Sequence, residues 1–194
     1  SPVINVLLPS IFFYTKFQIM KKFITLLLIL SAFLTADSQT VVISQAYGAG
    51  GNSSAPTVSY SNDFVELFNA TNATVDISNW SVQYANATST TGSWGVTKIP
   101  AGTTIPSGKY YLIQMAAGGT VTNALPTADL ISTTNMGSTG GRIALVSDTN
   151  KLANGFCPTQ GVTCVDVLGY GASTTCSDGS PTPNTGNILA AVRK

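Results

Sequence analysis

Two carboxylates, Asp63 and Glu66, stand inside the apolar stretch NDFVELFN (62–69) of a chain with only eight acidic residues. Two acids that converge across a cleft can do hydrolytic acid–base chemistry, and acids joined by further oxygens can hold Ca²⁺. On a β-strand, however, residues three positions apart project from opposite faces. We therefore expect no catalytic pair. The carboxylates should accept hydrogen bonds from neighbouring loops or strand edges, and Asn69 should begin a turn; a metal site is the less favoured alternative.

No other group of residues in the sequence has the pattern of a catalytic or cofactor site. The chain contains no histidine, which excludes Ser–His triads and the most common zinc ligand. The stretch GAGGNS (48–53) lacks the third glycine of a dinucleotide loop and the Gly-Lys-Ser/Thr of a phosphate loop. We interpret it as a loop that leaves the first strand. We expect no enzyme activity from this chain, and no metal or cofactor.

The three cysteines of the chain allow at most one disulfide within it. Cys157 and Cys164 enclose six residues rich in turn formers, and we predict that these two pair. Such a small ring would stabilise the fold by roughly 2–3 kcal/mol in the loop-entropy model. Cys176 is then left without a partner in the chain, so it is reactive, intermolecular or separated from a partner beyond the sequence.

The aromatic residues allow two interpretations, a sugar-stacking platform or a hydrophobic core. In WSVQY (80–84) apolar and polar residues alternate strictly, which favours a core position for Trp80. Trp94 lies in a Gly- and Thr-rich segment, and for this residue neither interpretation is preferred.

The apolar pattern along the chain is that of short β-strands. Besides 80–84, the strand-like runs are 39–47, 110–115, 142–146 and 164–168, and Gly-, Pro-, Asn- and Asp-rich turns separate them. No window has a convincing helical stripe. Short strands with polar turns predict an all-β protein, either a sandwich or a barrel.

The N-terminal part of the chain has the pattern of a secretory signal. After Met20, two lysines precede the twelve-residue apolar run 23–34, and small residues follow. The run is shorter than the roughly 18 apolar residues of a transmembrane helix, although an uncleaved signal anchor is an alternative. We predict a signal peptide over 20–38 that is cleaved before Gln39.

Residues 1–19 precede this signal, and we interpret them as a spurious or upstream segment. The remaining 39–194 would be one secreted or cell-surface domain without a membrane span. It contains six Lys and Arg and seven acidic residues, so its net charge is about −1. Nucleic-acid binding depends on several cationic contacts to phosphates, and we therefore expect no nucleic-acid partner. The cysteines and the signal together indicate an oxidising compartment.

Five segments of the sequence together carry the pattern of a known family. In chain order they are VVISQAYGAGGNSS, NDFVELFNATNATVDISNWSVQYA, IPSGKYYLIQ, GRIALVS and VDVLGYGAS. The most specific part is ELFN (66–69) followed by DISNW (76–80), so that Asp63, Glu66, Asn69 and Trp80 belong to a structural signature. These segments resemble the lamin tail domain of secreted bacterial proteins, an immunoglobulin-like β-sandwich, and the resemblance covers about 40–194.

The resemblance also bears on the C-terminal end. In similar secreted proteins a third cysteine, here Cys176, is followed by another beyond an Arg-Lys segment, which stands here at Arg193-Lys194. This implies that the partner of Cys176 is absent and that the last strand of the sandwich is missing. The final segment 187–194 has the pattern of a strand opening, so we expect a C-terminally truncated domain.

Three functions follow as hypotheses. The resemblance implies a non-catalytic, secreted or cell-surface module that interacts with or tethers an unknown protein or surface partner. The first alternative is an N-terminal accessory domain of a larger extracellular nuclease or phosphoesterase, with a hydrolase domain downstream. The second is a carbohydrate-binding sandwich that uses Trp94 and nearby tyrosines.

Overall fold

Short strands separated by turns account for the regular structure of the chain. The structure, a computed structural model, describes residues 41–51, 60–88, 93–118, 123–161, 163–174, 176–183 and 189–193. The interpretation of 1–19 and the signal peptide prediction for 20–38 lie outside these residues and stay predictions. The strands are β1 Val41–Tyr47, β2 Asn62–Asn69, β3 Val75–Asp76, β4 Ser81–Asn86, β5 Gly95–Lys98, β6 Thr104–Ile105, β7 Tyr110–Ala117, β8 Leu130–Ile131, β9 Gly141–Val146, β10 Cys164–Tyr170 and β11 Ala191–Val192.

Two sheets pack face to face. The first sheet has the strand order β11-β1-β2-β7-β8, the second has the order β10-β9-β4-β5, and β3 and β6 form a separate two-stranded ribbon. Neighbouring strands are antiparallel except β7 and β8, which are parallel. The fold is an all-β, immunoglobulin-like sandwich, and the predicted fold class is confirmed.

The main core lies between the two sheets and follows from the alternation along each strand. Val65 and Leu67 of β2 and Ile113 of β7 point inward from the first sheet, and they share one buried cluster with Val82 of β4 and Ile143 of β9. Burying a branched aliphatic side chain of this size contributes about 1.5–3 kcal/mol. This packing fixes which residues of β2 face the core, and the residues between them lie on the outer face of the first sheet.

β4 is covered on both faces, although its alternating sequence is typical of a half-exposed strand. The polar residues Ser81 and Gln83 are buried. The Ser81 hydroxyl donates to the carbonyl of Asp148 at 2.7 Å, and the Gln83 amide donates to the carbonyl of Asn150 at 2.7 Å. The segment after β9 thus covers the outer face of the second sheet.

The C-terminal residues that the structure describes add an edge to the first sheet. Ala191–Val192 form β11, in which Val192 pairs with Gln45 and Ala191 pairs with Ala46 of β1. The segment that was expected only to open a strand therefore forms a strand that pairs with β1.

Candidate functional site: an aromatic groove on the first sheet

Asp63 holds two loops together. Its side chain is buried, and its two carboxylate oxygens accept hydrogen bonds from the backbone N–H groups of Gly50 and Met136, both at 2.8 Å. Burial raises the pKa of Asp63 to about 6, and the two hydrogen bonds oppose this effect only in part. The carboxylate thus joins the loop after β1 to the segment before β9.

Glu66 lies on the opposite face of β2 from Asp63. Its Oε1 accepts a hydrogen bond from the Ser44 hydroxyl at 2.8 Å. It forms no ion pair with any lysine or arginine that the structure describes. The two carboxylates of NDFVELFN therefore share no cleft and do not converge as a catalytic pair would.

Asn69 organises the turn that follows β2. Its Oδ1 accepts hydrogen bonds from the backbone N–H and the hydroxyl of Thr71, at 2.9 and 2.8 Å. Its Nδ2 donates to the carbonyls of Ala73 and Ile105, both at 2.8 Å. Because Asn69 is fully buried, these bonds compensate for the loss of its hydration.

Neither tryptophan forms an exposed platform. Trp80 is half-buried against the main core. Trp94 is only 1 % exposed and packs in a second cluster outside the second sheet, where the guanidinium of Arg142 lies 5.2 Å from its ring centroid. Trp94 therefore cannot be the stacking surface that the carbohydrate hypothesis assigned to it, because no sugar can reach that ring.

The disulfide prediction is wrong in its partner. Cys157 bonds to Cys176, and Cys164, which was expected to pair with Cys157, is a free, buried thiol. Cys164 is the first residue of β10, where it points into the second cluster and its Sγ–H donates to the carbonyl of Asp166. Although Cys157 and Cys164 are close in sequence, the sulfur of Cys164 therefore does not bond to that of Cys157. Cys176 has its partner within the chain, contrary to the expectation.

An aromatic groove occupies the outer face of the first sheet. Its volume is about 200 Å³. The sheet contributes side chains from β1, β2 and β7 to its floor, and the segments around Tyr60, Leu125 and Ala190 form its rim. The residues that line it are Gln45, Tyr47, Tyr60, Phe64, Glu66, Leu112, Leu125, Pro126 and Ala190.

Three rings form one end of this groove. The Tyr47 and Phe64 rings are stacked with their centroids 5.6 Å apart and an interplanar angle of 28°. Tyr60 stands nearly perpendicular to both, at 84° to Tyr47 and 82° to Phe64. Cross-strand pairing produces the stack, because Tyr47 of β1 lies directly opposite Phe64 of β2.

The same face continues past Glu66 to a second ring pair. Phe68 and Tyr110 lie opposite each other in β2 and β7, with ring centroids 4.8 Å apart. Glu66 is thus a single carboxylate between two aromatic pairs. The sequence contained part of this signal, because Phe64, Glu66 and Phe68 alternate along one strand. The partners from β1, β7 and the loops depend on strand pairing and were missed.

The described residues contain neither a metal site nor a membrane-spanning helix. No group of three or more His, Cys, Asp and Glu side chains among them could hold a metal ion. In the same residues no helix has the length and apolar character to cross a membrane.

The packing of two β-sheets face to face places the chain in the class of immunoglobulin-like modules. Within that class the family can be stated. A family model described as Lamin Tail Domain matches residues 35–172, and the chain belongs to this family. A comparison with curated proteins found no match.

Proposed function

We propose that this chain is a non-catalytic, secreted or cell-surface interaction module that tethers a partner through its aromatic groove. The observation that carries the proposal is the aromatic lining of the groove on the outer face of the first sheet, where the rings of Tyr47, Tyr60 and Phe64 pack together. On the outer face of the second sheet, Leu152 packs on a buried cluster that includes Ala144 and Val167. The outer face of the first sheet presents a groove.

The groove has the composition of an interaction surface. Aromatic residues are enriched where proteins bind one another, and a few recessed anchors supply most of the binding energy. The same sheet also carries exposed apolar side chains outside the groove, Tyr110 of β7 and Val192 of β11. Exposed apolar surface is typical of binding sites when it forms a large patch.

Two features support a location outside the cell. The signal pattern over 20–38 predicts export, and the disulfide between Cys157 and Cys176 is of the kind that persists in oxidising compartments. In the cytosol, reducing systems would keep such a pair open.

The tethering role can be tested with the Leu112→Asp variant in the cells that produce the protein. Leu112 is half-buried in the floor of the groove, and an aspartate there would place a charge against the rings. We expect the wild-type protein to be retained with the cell surface and Leu112→Asp to be released into the medium, as measured by quantitative immunoblotting of the two fractions.

Ile131→Asp is the matched control. Ile131 lies in β8 of the same sheet, is exposed, and does not line the groove. This variant should be retained like the wild type, and both variants should unfold in a cooperative thermal transition that shows they are folded, with a lower melting temperature for Leu112→Asp because its carboxylate lies opposite Glu66. Equal release of wild type and Leu112→Asp, or equal retention of the two, would contradict the proposal.

A further inference from the structure

We propose that the groove takes a lysine side chain of the partner protein, with the ammonium group held by Glu66 and the ring of Tyr60. This inference rests on the proposed tethering function and adds the chemistry of what is recognised. It follows from the charge, the ring arrangement and the size of the groove.

The charge of the groove favours a cation. Glu66 is the one charged side chain among the described residues that line it. Ser44 occupies Oε1 through its hydroxyl, and no hydrogen bond to Oε2 is formed by the residues that the structure describes. With Oε1 engaged by Ser44, Oε2 is the carboxylate oxygen that is open to an N–H donor of a ligand. This suits the compact ammonium of lysine better than arginine, whose planar fork binds two carboxylate oxygens at once.

The rings add a second attraction for the same ligand. Aromatic faces carry negative partial charge and bind ammonium groups within about 6 Å of the ring centroid. Tyr60 is 37 % exposed and meets the buried, stacked pair of Tyr47 and Phe64 nearly at a right angle, so Tyr60 is the ring whose surface a ligand in the groove can reach. Glu66 is two residues from Phe64 on the same strand face, and both line the groove.

The size of the groove favours a single narrow side chain over a sugar. A volume of about 200 Å³ lies below the roughly 300–1,000 Å³ of pockets for drug-sized ligands. Phe64 is 6 % exposed and Tyr47 is 3 % exposed, so neither offers the open ring face that a sugar ring would stack on. Leu112 and Leu125 line the groove beside Glu66, where they can pack against the methylene groups of a lysine.

The test uses the full chain and three short peptides, acetyl-Ala-Lys-Ala-amide and the same peptide with norleucine or arginine in place of lysine. Norleucine keeps the aliphatic chain and removes the charge. Binding is followed by amide chemical shifts in ¹⁵N–¹H spectra. We expect the lysine peptide to bind with a dissociation constant on the order of 1 mM. Its shifts should be centred on groove residues, with weaker arginine binding and no norleucine binding.

Two variants separate the specific carboxylate from overall charge. Glu66→Gln keeps an acceptor for the Ser44 hydroxyl and should weaken lysine binding about tenfold, as expected for one charge-assisted contact. Asp76→Asn removes the same charge from an exposed site outside the groove and should leave binding unchanged.

The lysine assignment is overturned if the norleucine peptide binds as well as the lysine peptide. It is also overturned if Glu66→Gln binds like the wild type, or if the lysine peptide causes no shifts. Should Leu112→Asp still be released from cells in that case, the tethering function stands and only the lysine chemistry is wrong. If Leu112→Asp is retained as well, both proposals are wrong.

Discussion

The guanidinium of Arg193 in the last described segment lies 2.7 and 2.9 Å from the two carboxylate oxygens of Asp166 in β10. Asp166 is fully buried, and its Oδ2 also accepts the backbone N–H of Ile43 in β1 at 2.7 Å. The backbone N–H of Arg193 donates to the carbonyl of Ser44 in β1. The ion pair thus connects β10 of the second sheet with Arg193, the residue that follows β11. The two backbone hydrogen bonds connect both partners of this pair with β1 of the first sheet.

Removing the charge of Arg193 should destabilise the fold, because the buried Asp166 would lose the guanidinium that pairs with both of its oxygens. We expect Arg193→Gln to lower the free energy of unfolding by about 3 kcal/mol, measured by urea denaturation. Lys98→Gln is the control, since Lys98 is exposed on the edge strand β5, and its effect should stay within about 0.5 kcal/mol.

A double-mutant cycle measures the pair itself. Asp166→Asn combined with Arg193→Gln should cost less than the sum of the two single changes, because no unpaired charge is left buried. A coupling energy below about 0.5 kcal/mol would show that the two residues do not act as a pair.

The strand pattern of the sequence predicted the fold well because burial follows alternation. Val65 and Leu67 point into the core and Glu66 points out, as a period of two requires. The same pattern could not show that Ser81 and Gln83 of β4 would be buried. Their burial depends on a distant segment that reaches across the second sheet, which local alternation does not encode.

The candidate site was predicted less well, because it is assembled from residues far apart in sequence. Phe64 and Glu66 are neighbours along β2, whereas Tyr47 and Leu112 reach the groove only through the pairing of three strands. The cysteine prediction failed for a related reason. Spacing along the chain favoured the smaller ring between Cys157 and Cys164. The Cys164 side chain, however, points from β10 into the second cluster, and Cys157 bonds to Cys176 instead.

Asp63 should make stability depend on pH with an unusual sign. Its pKa rises from an ordinary value of 3.8 to about 6 on folding, so the folded protein binds this proton more tightly than the unfolded chain does. The contribution of Asp63 is fully present below about pH 4 and is lost as pH rises through 6. Relative to Asp63→Asn, the unfolding free energy of the wild type should fall by on the order of 2 kcal/mol between pH 4 and 7.

Asp76→Asn provides a control of opposite sign. Asp76 is exposed, and hydrogen bonds from Ser78 lower its pKa. Its contribution is therefore present at neutral pH and is lost as pH falls through the lowered pKa. Urea denaturation across the pH range compares the three proteins. A difference between wild type and Asp63→Asn that does not change with pH would contradict the role given to Asp63.

The three cysteines should differ sharply in reactivity. Burial raises the pKa of Cys164 to about 11, and since the thiolate is the reactive form, we expect this thiol to resist iodoacetamide at pH 8 until the protein is unfolded.

A non-reducing peptide map should contain a crosslink between Cys157 and Cys176. The ring they close spans a sequence separation of 19, so Cys176→Ala should lower stability by about 3 kcal/mol.

Cys164→Ala provides the contrast for this prediction. It leaves the disulfide in place and should give the same crosslinked peptide as the wild type. A crosslink between Cys157 and Cys164 in the wild-type map would show that the pairing described here is wrong.

Asn69 should be far more important for stability than Asn72, although both belong to Asn-Ala-Thr triplets in the same turn. Asn69→Ala would leave the buried carbonyl of Ile105 without the Nδ2 donor and should lower the unfolding free energy by about 2–4 kcal/mol. Asn69→Asp should cost at least as much, because a carboxylate would face two carbonyl oxygens. Asn72 is exposed, and Asn72→Ala should change stability by less than about 0.5 kcal/mol. Urea unfolding of the three variants tests this prediction. If the unfolding midpoint of Asn69→Asp equals that of the wild type, the Nδ2 bonds do not stabilise the turn.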